Sequence, residues 1–224
     1  MHKDHIHCLF LARRYLERQG YAVLLGALQP TSDEYVSWKL QGQAMGFRNR
    51  FTACELAAMG STDETRIDEE PSEGGTVNTM GDQEAGRWIE TWCSTDVNGN
   101  DAAKHCQHFL SRACQCPVAA FNVCGSDFLS RLGSWDFNLP GPVQYVVVPR
   151  EGDPLPKSKP GKGWHVAETN TNTDNHNASS TRIRTLILGG DWQGLVTQRL
   201  INQAESTFLR TQHKAGRLYL GAAP

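Results

Sequence analysis

The feature that most constrains the fold is a recurrence of short, nearly continuous apolar runs: "YAVLLGALQP", "PVAAFNVCGSD" and "VQYVVVPREGD". The first ends at Pro30, and the other two each open into a Gly/Asp loop. A run without polar alternation suits a strand buried on both faces, as in parallel sheets covered by helices. "RWIETW" is a further strand-like segment, and "WHVAE" a short apolar one. Between the runs the spacing turns helical. Residues 5–18 carry Ile6, Leu9, Phe10, the stem of Arg13 and Leu16 near helical intervals, with Gly20 as a stop. "FRNRFTACELAAMG", ending at Gly60, and "DAAKHCQHFLSRAC" read the same way. One helix beginning at Ser180 and another near "LVTQRLINQAESTFLRTQ", with Val196, Leu200, Ala204 and Phe208 four apart on one face, close the chain. Strands alternating with helices predict an α/β fold with a parallel sheet and right-handed crossovers. Ligands in such folds bind at the carboxyl ends of the strands, which is where "GSD", "REGD" and "TNTDNHN" fall.

The 224 residues suit a single domain, 1–224, interrupted by polar insertions at 61–86 and 151–178. The first insertion carries eight acidic residues against one basic, so it reads as a solvated loop. A net charge of −2 argues against nucleic acid or an anionic membrane as partner. No run approaches the ~20 apolar residues of a membrane span. The opening "MHKDHIHCLF" lacks signal-peptide architecture, and seven cysteines, an odd number, suggest free thiols. A cytoplasmic or nuclear location is expected.

"NASSTRIR", residues 177–184, poses a local conflict. Ser180 and Thr181 look like a helix start, yet Arg182 and Arg184 fall in its first turn, at the positive end of the helix dipole. A polyphosphate bound to the free N–H groups there would turn both arginines into ligands. The alternative is an ordinary Ser/Thr cap with solvent-pointing arginines. At the other end of the chain, "HKDH" places His2 and His5 three apart at a helix start, able to contact phosphate oxygens, or else a frayed terminus or an accidental metal pair.

Taken in order, these elements resemble the nicotinamide/nicotinate mononucleotide adenylyltransferases, eukaryotic type, within the HxGH nucleotidyltransferase superfamily. "ASSTRIR" is similar to the family signature "ISSTKIR". "QPTSDEY" is similar to the segment "SP-x-x-D-A-Y", and "ACELA" to "MAELA". "IETWCST" is similar to "DTWE", "CGSD" to the "CGAD" loop, and "VVPREG" to the strand end "V-x-R-x-G". The resemblance covers most of residues 1–190, and only "SSTRIR" is specific alone. It implies a Rossmann-like nucleotidyltransferase fold and adenylyl transfer from ATP to the mononucleotide (NMN or NaMN), giving NAD or its deamido form and pyrophosphate. It also implies the roles. His5, with His2 and Arg184, would serve the phosphate chemistry. His5, Lys39, Gly125, Asp127, Ser180, Thr181, Arg182 and Arg184 would bind ATP, accompanied by Mg²⁺. Tyr35, Trp92, Thr95, Trp135 and Arg150 would bind the mononucleotide. A homo-oligomer is compatible with it.

The chain departs from the family in several places. The basic residue after the family tyrosine falls on Ser37 or Trp38, with Lys39 one step on; His176 stands at the asparagine position before the signature, and Glu168 near the acidic one. The largest departure is at the start, for the family's first strand, central in its sheet, and its "G-S/T-F-x-P" loop are missing before His2. Either an upstream start supplies them, the reading preferred here, or the chain is a truncated relative without turnover. The alternative to an enzyme is a non-catalytic nucleotide-binding or interaction protein of the same fold. Pantetheine-phosphate adenylyl transfer fits less well.

Other signals carry less. His105, Cys106, His108, Cys114 and Cys116 lack paired metal-ligand spacing and read as one amphipathic helix with its exit loop. Cys8, Cys54 and Cys124 read as small core residues. Trp38, Trp164 and Trp192 have no chemical role assigned, and packing is the expectation for each. "PKSKPGKG" reads as a solvated loop.

Overall fold

The computed structural model describes residues 3–40, 44–60, 88–92, 99–132, 143–150, 153, 155, 162–167 and 180–219. The insertion expected at 61–86 lies outside the described residues, as does most of 151–178. The chain forms two compact units, one of Met1–Ile6, Leu24–Thr95 and Ala178–Pro224, the other of His7–Val23 and Asp96–Asn177. The fold is α/β with parallel strands, as the alternation of runs requires. The described strands fall into two parallel sheets of two and three strands.

The second unit contains most of α1 (Lys3–Arg18), then α4 (Gly99–Cys114), β3 (Phe121–Gly125), α5 (Ser126–Leu132), β4 (Gln144–Val148) and β5 (Trp164–Val166). The sheet order is β3-β4-β5, parallel throughout, with Val146 opposite Val123 and His165. The run "QYVVV" has no polar alternation because β4 is central and covered on both sides. Val146 and Val148 meet Leu11, Ala12 and Leu16 of α1. Tyr145 and Val147 meet Leu129 of α5 and Trp164 on the other face. Cys8 and Cys124, both half-buried, pack against these two clusters. The residues after β3 do not form the expected loop. Helix α5 starts directly at Ser126.

The first unit contains β1 (Gly26–Leu28), α2 (Asp33–Leu40), α3 (Phe47–Met59), β2 (Ile89–Thr91), α6 (Ser180–Leu188), α7 (Trp192–Thr197) and α8 (Gln203–Lys214). β1 and β2 pair in parallel, Ala27 opposite Glu90. The apolar run at 21–30 thus yields only three residues of ladder. "QPTSDEY" leads into helix α2, which the sequence did not indicate. The core joins Ala53 of α3, Ile183 and Ile187 of α6, Leu195 of α7 and Leu209 of α8 with Leu200, Ile201 and Leu218.

The single helix expected across 195–212 is two helices. Arg199 takes a left-handed φ of 52°, and Asn202 starts α8 anew by accepting from the Glu205 N–H at 2.8 Å. The same side chain donates to the Leu56 carbonyl at 2.8 Å, near the end of α3. Gly60 caps α3 beside it, and a Cβ there would collide with the Asn202 amide. Val196 and Leu200 therefore do not share a helix with Ala204 and Phe208.

Candidate functional site

In the second unit the sequence-selected residues Gly125, Asp127 and Arg150 come together. They lie at the carboxyl ends of β3 and β4, adjacent parallel strands paired in register through Gly125 and Val148. Arg150 follows β4 by two residues, and its guanidinium stands 3.7 Å from the Asp127 carboxylate. Its backbone N–H donates to Ser126 Oγ at 2.8 Å. Ser126 is fully buried. Gly125 is needed for this closeness: a Cβ there would sit 2.7 Å from Asp127 Oδ1 and 2.8 Å from Arg150 Nε. Burial, reinforced by the Asp127 charge, pushes the Cys124 thiol up to about 12, so it stays neutral behind the site. Carboxyl ends of parallel strands are the usual ligand edge of open α/β sheets.

In the first unit, α6 begins at Ser180, as the sequence predicts. Ser180, Thr181 and Arg182 are exposed there, and Arg184 is half-buried. Both arginines donate to neutral acceptors. Arg182 donates to Gln198 Oε1 at 2.6 Å, reaching the end of α7. Arg184 donates to Thr181 Oγ1 at 3.2 Å, folding back over the first turn. Burial raises the Tyr219 phenol, and the Arg184 charge works against that rise.

Tyr35 and Lys39 are also brought together, on one face of α2, with the Lys39 ammonium 6.0 Å from the Tyr35 ring centroid. Arg50, from α3, holds the start of that helix. It pairs with Asp33 at 2.8 Å and donates to the carbonyls of Thr31 and Met45. Trp92 follows β2, its backbone N–H donating to the Leu28 carbonyl at 2.8 Å, and is half-buried. His5 is exposed on the first turns of α1. His2, Thr95 and Trp135 lie outside the described residues.

Two contributors went unrecognised in the sequence. Ser126 was visible inside "CGSD", but nothing local tells that its hydroxyl accepts from the strand beside it. Arg50 has no sequence signal at all, since its partners precede it by up to 19 residues. The expectation that Trp38 is packed is overturned, for it is 77% exposed. Trp164 is buried and Trp192 packs against the first unit's core, as expected.

Among the described residues no group of three His, Cys, Asp or Glu side chains could hold a metal ion. A cleft of about 510 Å³ in the first unit, lined by Trp192, Gln193, Arg210 and Lys214 among others, includes none of the sequence-selected residues. None of the described helices is long and apolar enough to cross a membrane. No family model matches the chain, and no curated protein matches it.

Proposed function

We propose that this chain is an adenylyltransferase that joins ATP and a pyridine mononucleotide, NMN or NaMN, into NAD or deamido-NAD with release of pyrophosphate. The observation that carries the reading is the meeting of Gly125, Asp127 and Arg150 at the carboxyl ends of β3 and β4. The three residues belong to two separate motifs of one family resemblance, "CGSD" and "VVPREG", some 25 residues apart in sequence. The exposed Ser180, Thr181 and Arg182 at the start of α6 add a second anion-ready element.

In this reading the 5′-phosphate of the mononucleotide attacks the α-phosphorus of ATP, and pyrophosphate leaves. No protein nucleophile is required, so the side chains act by positioning and by neutralising charge. The family resemblance assigns Thr181, Arg182, Arg184 and His5 to the ATP phosphates, Asp127 to the adenosine and ribose, and Arg150 to the mononucleotide. Mg²⁺ enters as part of the substrate, MgATP, because this ion is commonly carried on nucleotide phosphates.

The test is a pyrophosphate-release assay on the full gene product with MgATP and either mononucleotide, the dinucleotide identified by mass. Dinucleotide formation with one of them supports the proposal. Tight nucleotide binding without product would leave a binding protein of the same fold, and absence of both would remove the reading.

A further inference from the structure

Trp38 is the most exposed of the large apolar side chains among the described residues, at 77%, and Tyr35 beside it is 47% exposed. An indole buries about 150–250 Å² when packed, so one left in water forgoes a large apolar contact. The helix that carries it is nevertheless held in place. Val36 is buried, and Arg50 ties Asp33 and the Thr31 carbonyl to the segment before α3. Arg50 also neutralises Asp33, one of the two carboxylates in the first turn of α2.

The outward face of α2 has a specific composition. Tyr35, Trp38 and Lys39 stand at i, i+3 and i+4, which is one helix face. The two rings lie 6.1 Å apart, tilted by 45°, and the Lys39 ammonium is 6.0 Å from the Tyr35 centroid. With the exposed Glu34 four residues before Trp38, the face offers two rings, one carboxylate and one ammonium, which complement a planar pyridinium ring that bears an anionic group. A protein-docking surface of stable size would need an apolar patch far broader than two rings.

We propose that Trp38 is a mononucleotide-binding residue: it stacks on the pyridine ring, with Tyr35 at its side and Lys39, which the family resemblance gives to ATP, meeting the 5′-phosphate instead. The inference rests on the adenylyltransferase reading and adds to it a residue at which the chain departs from the family pattern.

Equilibrium binding of NMN, NaMN and MgATP, each alone, to the full chain and to Trp38→Ala, Trp38→Phe and Lys39→Gln tests the idea. Circular dichroism checks that each variant is folded, as an exposed position permits. Trp38→Ala is expected to weaken mononucleotide binding roughly tenfold or more, within the range found for aromatic stacking on bases. Trp38→Phe should restore most of the affinity, Lys39→Gln should weaken it, and MgATP binding to Trp38→Ala should be unchanged. Equal mononucleotide affinity in the parent and Trp38→Ala would overturn this inference alone and leave the enzyme reading standing. Loss confined to MgATP would overturn it too, assigning the face to adenine. A parent chain that binds neither mononucleotide would remove both proposals.

Discussion

The guanidinium of Arg150 stands 3.7 Å from the carboxylate of Asp127, joining the ends of two adjacent parallel strands. Both side chains are about one-third exposed, at 32% and 34%. Pairs in that setting contribute no more than about 1 kcal/mol to stability. Asp127→Asn should therefore leave thermal stability nearly unchanged. If the pair serves the nucleotide, calorimetric titration should show ATP or mononucleotide affinity lowered about tenfold, ~1.4 kcal/mol. An unchanged affinity would make the pair structural.

Gly125→Ala makes a sharper perturbation at the same place. The added methyl would fall 2.7 Å from Asp127 Oδ1 and 2.8 Å from Arg150 Nε, too close for either to stay. Both are side-chain atoms that can swing away, so the fold should survive at a cost of about 1–3 kcal/mol. Nucleotide binding should fall further than in Asp127→Asn, because both partners move. Parallel denaturation and binding measurements check the two halves of this statement.

Arg184→Ala should lower turnover, or raise the ATP requirement, about a hundredfold, equivalent to ~2.7 kcal/mol. The guanidinium donates to Thr181 Oγ1, so its loss also removes a local contact. A denaturation curve separates that from the catalytic effect. Steady-state rates indistinguishable from the parent would rule Arg184 out as a phosphate ligand.

His165 gives the second unit a dependence on pH. Its Nε2 lies 2.7 Å from Gln144 Oε1 and its Nδ1 3.4 Å from the Tyr15 hydroxyl, with the Phe121 ring packed edge-on. Burial holds its pKa below the ordinary 6.5. The unfolded chain thus takes up a proton near 6.5, and the folded protein only at lower pH. Below 6.5 the unfolded state binds more protons, and stability falls as pH falls, until the folded pKa is passed. His165→Gln should lose less stability than the parent between about pH 7.5 and about pH 5.5. Equal losses in urea titrations at the two values would refute the assignment.

The apolar run around Val146 and Val147 announced a doubly covered strand because burial on both faces leaves no position for a polar residue. The helix start at Ser180 was legible because Ser/Thr residues just ahead of an apolar stretch are a local signal. The helix at 195–212 was misread because what divides it, Asn202 bonded to Leu56, depends on a partner 146 residues away in sequence. Trp38 was misread for the converse reason: an indole says it favours burial, and only the assembled chain says whether anything covers it.

Sequence alone, then, determined the elements whose cause is local or periodic, and its resemblance to one family singled out Gly125, Asp127, Arg150 and the arginines of α6. Tertiary structure decided what those residues touch. It brought Arg150 to Asp127 and Ser126, gave Arg182 a partner in Gln198, and fastened α2 through Arg50 while leaving Trp38 in water. The division has a physical basis. Backbone preference and hydrophobic period act over a few residues, whereas ion pairs and burial depend on groups that meet only when distant segments pack.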